Sequence, residues 1–256
     1  MKKSLIALAV TTATIMSGGV MAASWSNGSA GSSSFEMSGT LSPATATTPW
    51  EVAIGDSETN LNATMSESGT EGTINVSKVI SVLGIRSVPA GFTGKPVGSG
   101  LHPQIQYGNN AVGDYIGNGK APLSLDVMSG GSKIGSLKSE IQTVAVASNG
   151  TVGASLNANN ANVAFYGGVA RVAGNTVPAA QAVQTVQTLF PEALDNWDNT
   201  PVTQNTPWAF SDSQTTFHAA YASGIPSGSV ITITLDNALS SDTPWQANLP
   251  ITVTYN

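Results

Sequence analysis

Glu192, Asp195 and Asp198 stand at three-residue spacing, and Glu192 with Asp195, or Asp195 with Asp198, has the composition of an acid pair for glycoside hydrolysis, in which two carboxyl groups flank the bond. Spacing alone is weak support, because acidic residues that follow a helix are usually solvated. The two histidines, His102 and His218, lie far apart without a metal-ligand pattern around either. The chain has no cysteine, which excludes thiolate metal sites and cysteine nucleophiles. No Gly-x-Ser-x-Gly elbow is present. Gly117-Asn118-Gly119-Lys120 lacks phosphate-loop spacing and reads as a turn. Asp195 to Asn199 lacks the glycine and distal glutamate of a calcium loop, so it reads as a capped turn. These residues predict no enzyme, no metal and no cofactor.

A different group suits recognition. Phe165, Tyr166, Arg171 and Trp197 fall within a segment, 163–212, that also holds Trp208 and Phe210, in a chain only 6% aromatic. Sugar binding pairs an aromatic face with convergent polar groups, which makes those four residues candidates for a receptor site. The competing reading is that Phe165 and Trp197 simply pack beneath a neighbouring helix.

That helix is the one break in a β-rich chain. Ala179, Ala182, Val183, Val186 and Leu189 recur at helical spacing, with Pro178 suited to the first turn and Pro191 ending it. Elsewhere short alternating runs predict strands at Trp50–Ile54, Thr73–Val82, Leu101–Tyr107, Leu123–Val127, Ile134–Val146, Val230–Leu235 and Ile251–Tyr255, and Ser129-Gly130-Gly131-Ser132 reads as a hairpin. A helical excursion between strands is most simply an insertion, and insertions often carry function.

The amino terminus reads as an export signal over 1–22: Lys2 and Lys3, an apolar run from Leu5 to Ile15, and a small-residue cleavage site at Val20-Met21-Ala22. The run is too short for a membrane span, which needs ~20 apolar residues. The full chain carries 9 basic and 15 acidic side chains, and loss of Lys2 and Lys3 leaves 7 against 15, a net charge of about −8. Nucleic acid is an unsuitable partner for such a surface. Just inside the mature terminus, Phe35-Glu36-Met37-Ser38-Gly39-Thr40-Leu41 forms an alternating strand with no turn signal to pair it locally. Its predicted partner is another molecule.

Taken in order, several motifs resemble one family. They are Met1-Lys2-Lys3-Ser4-Leu5-Ile6-Ala7-Leu8-Ala9, the Phe35 to Leu41 strand, Trp50-Glu51-Val52-Ala53-Ile54-Gly55, and the terminal Pro250-Ile251-Thr252-Val253-Thr254-Tyr255-Asn256. His102-Pro103-Gln104-Ile105, Asp195-Asn196-Trp197-Asp198 and the stretch from Tyr221 to Ser229 fall between them. Together they resemble, over essentially the whole chain, the major subunit and adhesin of K88-type chaperone–usher fimbriae of enteric bacteria.

The resemblance implies an all-β fold, an incomplete immunoglobulin-like sandwich completed by donor-strand complementation, with a small helical insertion. The expected organisation is a signal peptide at 1–22, an extension with the donor strand at 23–41, and a pilin domain at 42–256 with an inserted subdomain about 163–212. A periplasmic chaperone would fill the groove first; after export through the outer-membrane usher, the next copy's extension would replace it in a surface fimbrium. Phe35, Met37 and Leu41 would insert, with Gly39 at the small position. Ile251, Val253 and Tyr255 would border the groove and form the strand the chaperone grips. The family's major subunit also implies a host glycoconjugate receptor. Thr243 and Pro244 stand where many pilins have glycine. A secreted monomeric carbohydrate-binding β-sandwich is the alternative.

Overall fold

The computed structural model describes residues 48–66 and 69–256. The signal-peptide region and the donor segment, with Phe35, Met37, Gly39 and Leu41, lie outside the described residues.

Alternation of apolar and polar residues generates most of the elements. They run β1 (Trp50–Ile54), β2 (Thr64–Met65), β3 (Glu71–Asn75), β4 (Ile80–Ser87), β5 (Phe92–Thr93), β6 (Pro103–Tyr107), β7 (Lys120–Ser129), β8 (Ser132–Ser148) and β9 (Gly153–Ser155), then helix α1 (Ala179–Leu189), then β10 (Val202–Asn205), β11 (Thr216–Ile225), β12 (Val230–Leu235) and β13 (Ile251–Tyr255). In β12 the pattern is plain: Ile231, Ile233 and Leu235 are buried on one face while Thr232 and Thr234 are not. The predicted strand Thr73–Val82 is instead two strands, β3 and β4, separated by residues 76–79. Gly130 and Gly131 both take positive φ, 55° and 84°, the geometry a two-residue hairpin between β7 and β8 demands.

The large sheet has the order β1-β4-β11-β8-β12-β3-β2, with β5 on β11, β7 and β9 on β8, and β10 on β9. Most of its pairings are antiparallel; β10 joins β9 in parallel. At 17 residues β8 is the spine: one edge carries β12 and then β11, the other β7 and then β9. A second sheet consists of β6 and β13, antiparallel from Ile251 opposite Tyr107 to Tyr255 opposite Pro103.

The two sheets enclose one main core. Leu83, Ile85, Ile141, Phe165 and Tyr221 are fully buried in it. The Tyr107 hydroxyl of β6 lies 2.7 Å from the Tyr221 hydroxyl of β11 and donates to Ser223 Oγ at 2.7 Å, a polar tie between the sheets. Burial pushes the Tyr107 phenol up to about 12, since its anion would have no water around it; the hydrogen bonds only partly offset this.

Helix α1 packs on the far side of the large sheet. Ala145, Ala147, Ala219 and Tyr221 face the main core, whereas Val144, Val146, Ala220 and Ala222 meet Ala182, Val186 and Leu189 of α1 in a second cluster. Strands β8 and β11 are therefore buried on both faces. Pro178 precedes the helix rather than starting it, and the Ala179 N–H is capped by Asn205 Oδ1 at 3.0 Å. The helix closes at Leu189, and Pro191 opens a short 3₁₀ turn, Pro191–Leu194.

Candidate functional site

Strand β13 has two faces with different fates. Ile251, Val253 and Tyr255 point toward the main core yet remain only half-buried, while Thr252 and Thr254 point outward and are exposed. The same alternation extends upstream without a break: Trp245, Ala247 and Leu249 are half-buried, and Gln246, Asn248 and Pro250 are exposed. A second half-buried row, Leu61, Ala63 and Met65, packs against the same core. The inward residues of β12 are by contrast fully covered, Ile231 and Ile233 at 1% and 3% exposure.

Between the two rows lies a slot of about 750 Å³. Ala63, Met65 and Trp245 stand on its walls, and Val127, Ile233 and Leu235 line it from the core. Among the described residues, β13 pairs with β6 alone, so its other edge has no ladder partner there. The Tyr255 hydroxyl lies near the Thr48 side chain, which brings the end of β13 to the approach of β1. His102 fastens the same end: its backbone N–H donates to the Asn256 carbonyl at 3.0 Å, and its ring nitrogens face the carbonyls of Asn256 and Ala209. His102 thus has a structural place.

The outward face of β6 and β13 floors a cleft of about 900 Å³, where Gln104, Gln106, Thr252 and Thr254 lie side by side. One wall is the stretch from Tyr166 to Asn175, the other the loop from Asn110 to Tyr115. Two hydrogen bonds hold the walls together: Tyr115 Oη donates to the Gly168 carbonyl at 2.8 Å, and Asn175 Nδ2 donates to the Tyr115 carbonyl at 2.7 Å. The first wall lies directly on β6. Gly167 has φ +82°, and a Cβ there would stand 2.1 Å from the Ile105 carbonyl oxygen, so only glycine allows this approach.

The four aromatic and basic candidates separate here. Tyr166 and Arg171 both line the cleft, with the Arg171 guanidinium carbon 5.8 Å from the Tyr166 ring centroid. Phe165, at φ 60°, turns the other way: it is fully buried and stacks on Tyr221 at 5.5 Å. It packs in the main core, not beneath the helix. Trp197 does pack against the helix cluster, remote from the cleft lining. Gln106, Asp114, Thr252 and Thr254 were not singled out as cleft residues by sequence reasoning. The alternation of threonine with apolar residues in the terminal strand was the available signal.

The carboxylates of Asp195 and Asp198 are engaged in the structure, and Glu192 takes part through its backbone carbonyl. Asp195 accepts from Arg86 at 2.5 Å, and Arg86 also donates to Glu51 and to the Glu192 carbonyl, tying β1 and β4 to the turn after α1. Asp198 accepts from Ser148 and from the Thr200 N–H, capping its turn. Partial burial pulls the Asp198 carboxyl up, but those hydrogen bonds outweigh it and leave the group below its usual range. His218 Nδ1 lies 3.1 Å from the Asn196 carbonyl. Gly117 to Lys120 forms a tight turn, with Asn118 and Gly119 at positive φ.

Comparison with known proteins agrees with this architecture. The family described as "Fimbrial, major and minor subunit" matches residues 1–256. K88 fimbrial protein AC of Escherichia coli is 29% identical over 294 residues, and K88 fimbrial protein AB of the same organism is 29% identical over 299, each covering all of both chains. K88 fimbrial protein AD, also from Escherichia coli, is 28% identical over 298 residues. Family membership implies assembly with other subunits in a fibre at the cell surface. An all-β body with one helical insertion, matched over its whole length, therefore belongs to the K88 family of fimbrial structural subunits.

Proposed function

We propose that this chain polymerises by donor-strand exchange and that the fibre it builds is adhesive toward host glycoconjugates. One observation carries the first part: the half-buried row from Trp245 to Tyr255 shares the main core with Leu61, Ala63 and Met65, and a slot floored by Val127, Ile233 and Leu235 opens between Trp245 and the pair Ala63 and Met65. A sandwich whose inward side chains stop at half-burial along two edges has room for one more strand. The segment Phe35 to Leu41 has the pattern to fill it. Phe35, Met37 and Leu41 would enter the slot of the neighbouring copy, with Gly39 where space is short.

The magnitudes favour such an exchange. Burial of Phe35, Met37 and Leu41 contributes about 5–9 kcal/mol at ~1.5–3 kcal/mol each, and each new ladder hydrogen bond adds roughly 1 kcal/mol. That is comparable with the whole stability of a typical domain, ~5–15 kcal/mol. An uncomplemented subunit would therefore be poorly stable and would offer an open sheet edge to aggregation. A periplasmic chaperone holding β13 and an outer-membrane usher catalysing transfer fit this requirement, and export begins with the leader at 1–22.

The adhesive part rests on the cleft, which joins an aromatic ring and a guanidinium to polar side chains. Repetition along a fibre would multiply a weak contact into firm attachment.

The test moves the donor. With residues 35–41 deleted from the front and appended after Asn256 through a flexible linker, the chain is expected to be a soluble monomer without chaperone. Simple deletion of residues 35–41 is expected to aggregate. A stable, soluble monomer from simple deletion would overturn donor exchange and favour the monomeric carbohydrate-binding alternative.

A further inference from the structure

Every copy in a fibre must keep its ligand site open after its slot is filled, and the alternation of β13 says which cavity meets that condition. Donor insertion would occupy the slot bounded by Ala63, Met65 and Trp245. A third hollow, about 250 Å³, lies between β1 and Phe190 beside the Arg86 bonds to Glu51 and the Glu192 carbonyl, and is small for a saccharide. The cleft over β6 and β13 opens on the outward face of β13, where Thr252 and Thr254 alternate with the core-facing Ile251, Val253 and Tyr255, and its lining shares no residue with that slot. Filling the slot therefore leaves the cleft uncovered.

The lining also points to a ligand class. Of the described lining residues only Asp114 and Arg171 are charged, one of each sign, and neither is in an ion pair among the described residues. The side chains of Gln106, Asp114, Thr252 and Thr254 have no hydrogen-bond partner among the described residues. Uncommitted donors and acceptors of balanced charge, beside a half-exposed tyrosine ring, match a ligand that is uncharged, rich in hydroxyls and apolar on one face. A neutral saccharide is such a ligand.

We propose that the adhesive site, on the reading above, is this cleft, and that it takes an uncharged saccharide laid across Thr252 and Thr254 against Tyr166, with Asp114 and Arg171 holding its hydroxyls. The walls are already tied by Tyr115 and Asn175, so the site is preformed. Donor strand and saccharide would occupy opposite faces of β13 at the same time.

The experiment uses intact fibres of the full chain on an array of neutral and sialylated mammalian oligosaccharides. Parent fibres are expected to retain neutral oligosaccharides, and fibres of Tyr166→Ala, Arg171→Ala and the cleft-filling Thr254→Arg to lose at least tenfold in apparent affinity, while Lys138→Ala fibres bind as the parent. Hydrogen exchange of parent fibres with a retained oligosaccharide should slow at 104–106 and 251–255 and stay unchanged at 179–189. If parent fibres bind but the cleft variants assemble and bind equally well, the cleft is overturned and adhesion survives elsewhere. Retention of sialylated oligosaccharides alone overturns the ligand class. If parent fibres bind nothing on the array, the adhesive reading itself falls.

Discussion

Val253→Ala tests whether the half-buried inward face of β13 is covered by another strand. Val253 sits opposite Ile105, which is buried, yet is itself only half-buried. The substitution removes two methyl carbons, worth about 0.8 kcal/mol each when fully buried, and the cavity left in a covered slot raises the loss to about 2–2.5 kcal/mol. If nothing covered the position, half of the transfer contribution would be missing and the loss would be about 1 kcal/mol. For a domain of this size each kcal/mol moves the melting temperature by about 2–4 °C. Thermal unfolding followed by circular dichroism, on the chain with residues 35–41 moved behind Asn256, should therefore show a drop of about 4–10 °C for Val253→Ala. Its outward neighbour Thr254→Ala should stay within about 2 °C, as surface changes usually do. Equal shifts for the two substitutions would refute the two-faced assignment of β13 and the covered slot with it.

Three further outcomes follow from the same structure. Met37→Asp would place a carboxylate against the apolar floor of the slot, Val127, Ile233 and Leu235, in a slot that already holds Asp242, a cost large enough to block polymerisation; electron microscopy should find no fibres, and parental yield would count against the donor assignment. Tyr107→Phe strips a partner from the Tyr221 and Ser223 hydroxyls and should cost about 1–3 kcal/mol. The Tyr107 phenol is raised to about 12 in the fold, above the ~10 of an unfolded chain, so its contribution is complete below pH ~10 and is lost as pH rises toward 12; melting temperatures between pH 9 and 12 should fall, less steeply in Tyr107→Phe. Gly84→Val would drive a Cβ to within 2.7 Å of the Phe190 ring and should cost about 1–3 kcal/mol, loosening the end of α1, which proteolysis near residue 190 would report.

Legibility in the sequence followed how many faces of an element are buried. Strands β1, β12 and β13 have the bounds that alternation predicts, and α1 runs from Ala179 to Leu189, the first and last residues of its apolar pattern. Strand β11, Thr216–Ile225, escaped because Ala219, Tyr221 and their neighbours Ala220 and Ala222 are all buried, some under the helix and some in the main core, so no alternation remains. The cleft was half legible. Tyr166 and Arg171 stood out as an aromatic and a cation in a polar chain, but so did Phe165, whose backbone at φ 60° sends its ring to the core beside a tyrosine that faces out. Adjacent residues with opposite destinations cannot be separated by composition.

What the sequence determined by itself was local and periodic: a short apolar run behind Lys2 and Lys3, an alternating pattern of residue types from Phe35 to Leu41, and a terminal strand with apolar residues at every second position. Those follow from side-chain period and peptide geometry, which act over a few residues. Only the tertiary structure decided that the terminal row stops at half-burial, that Leu61, Ala63 and Met65 share its core, and that Thr252 and Thr254 meet Gln104, Gln106, Tyr166 and Arg171 on the far side. Such meetings join positions up to about 190 residues apart and depend on how two sheets pack, a property that no short window of sequence contains.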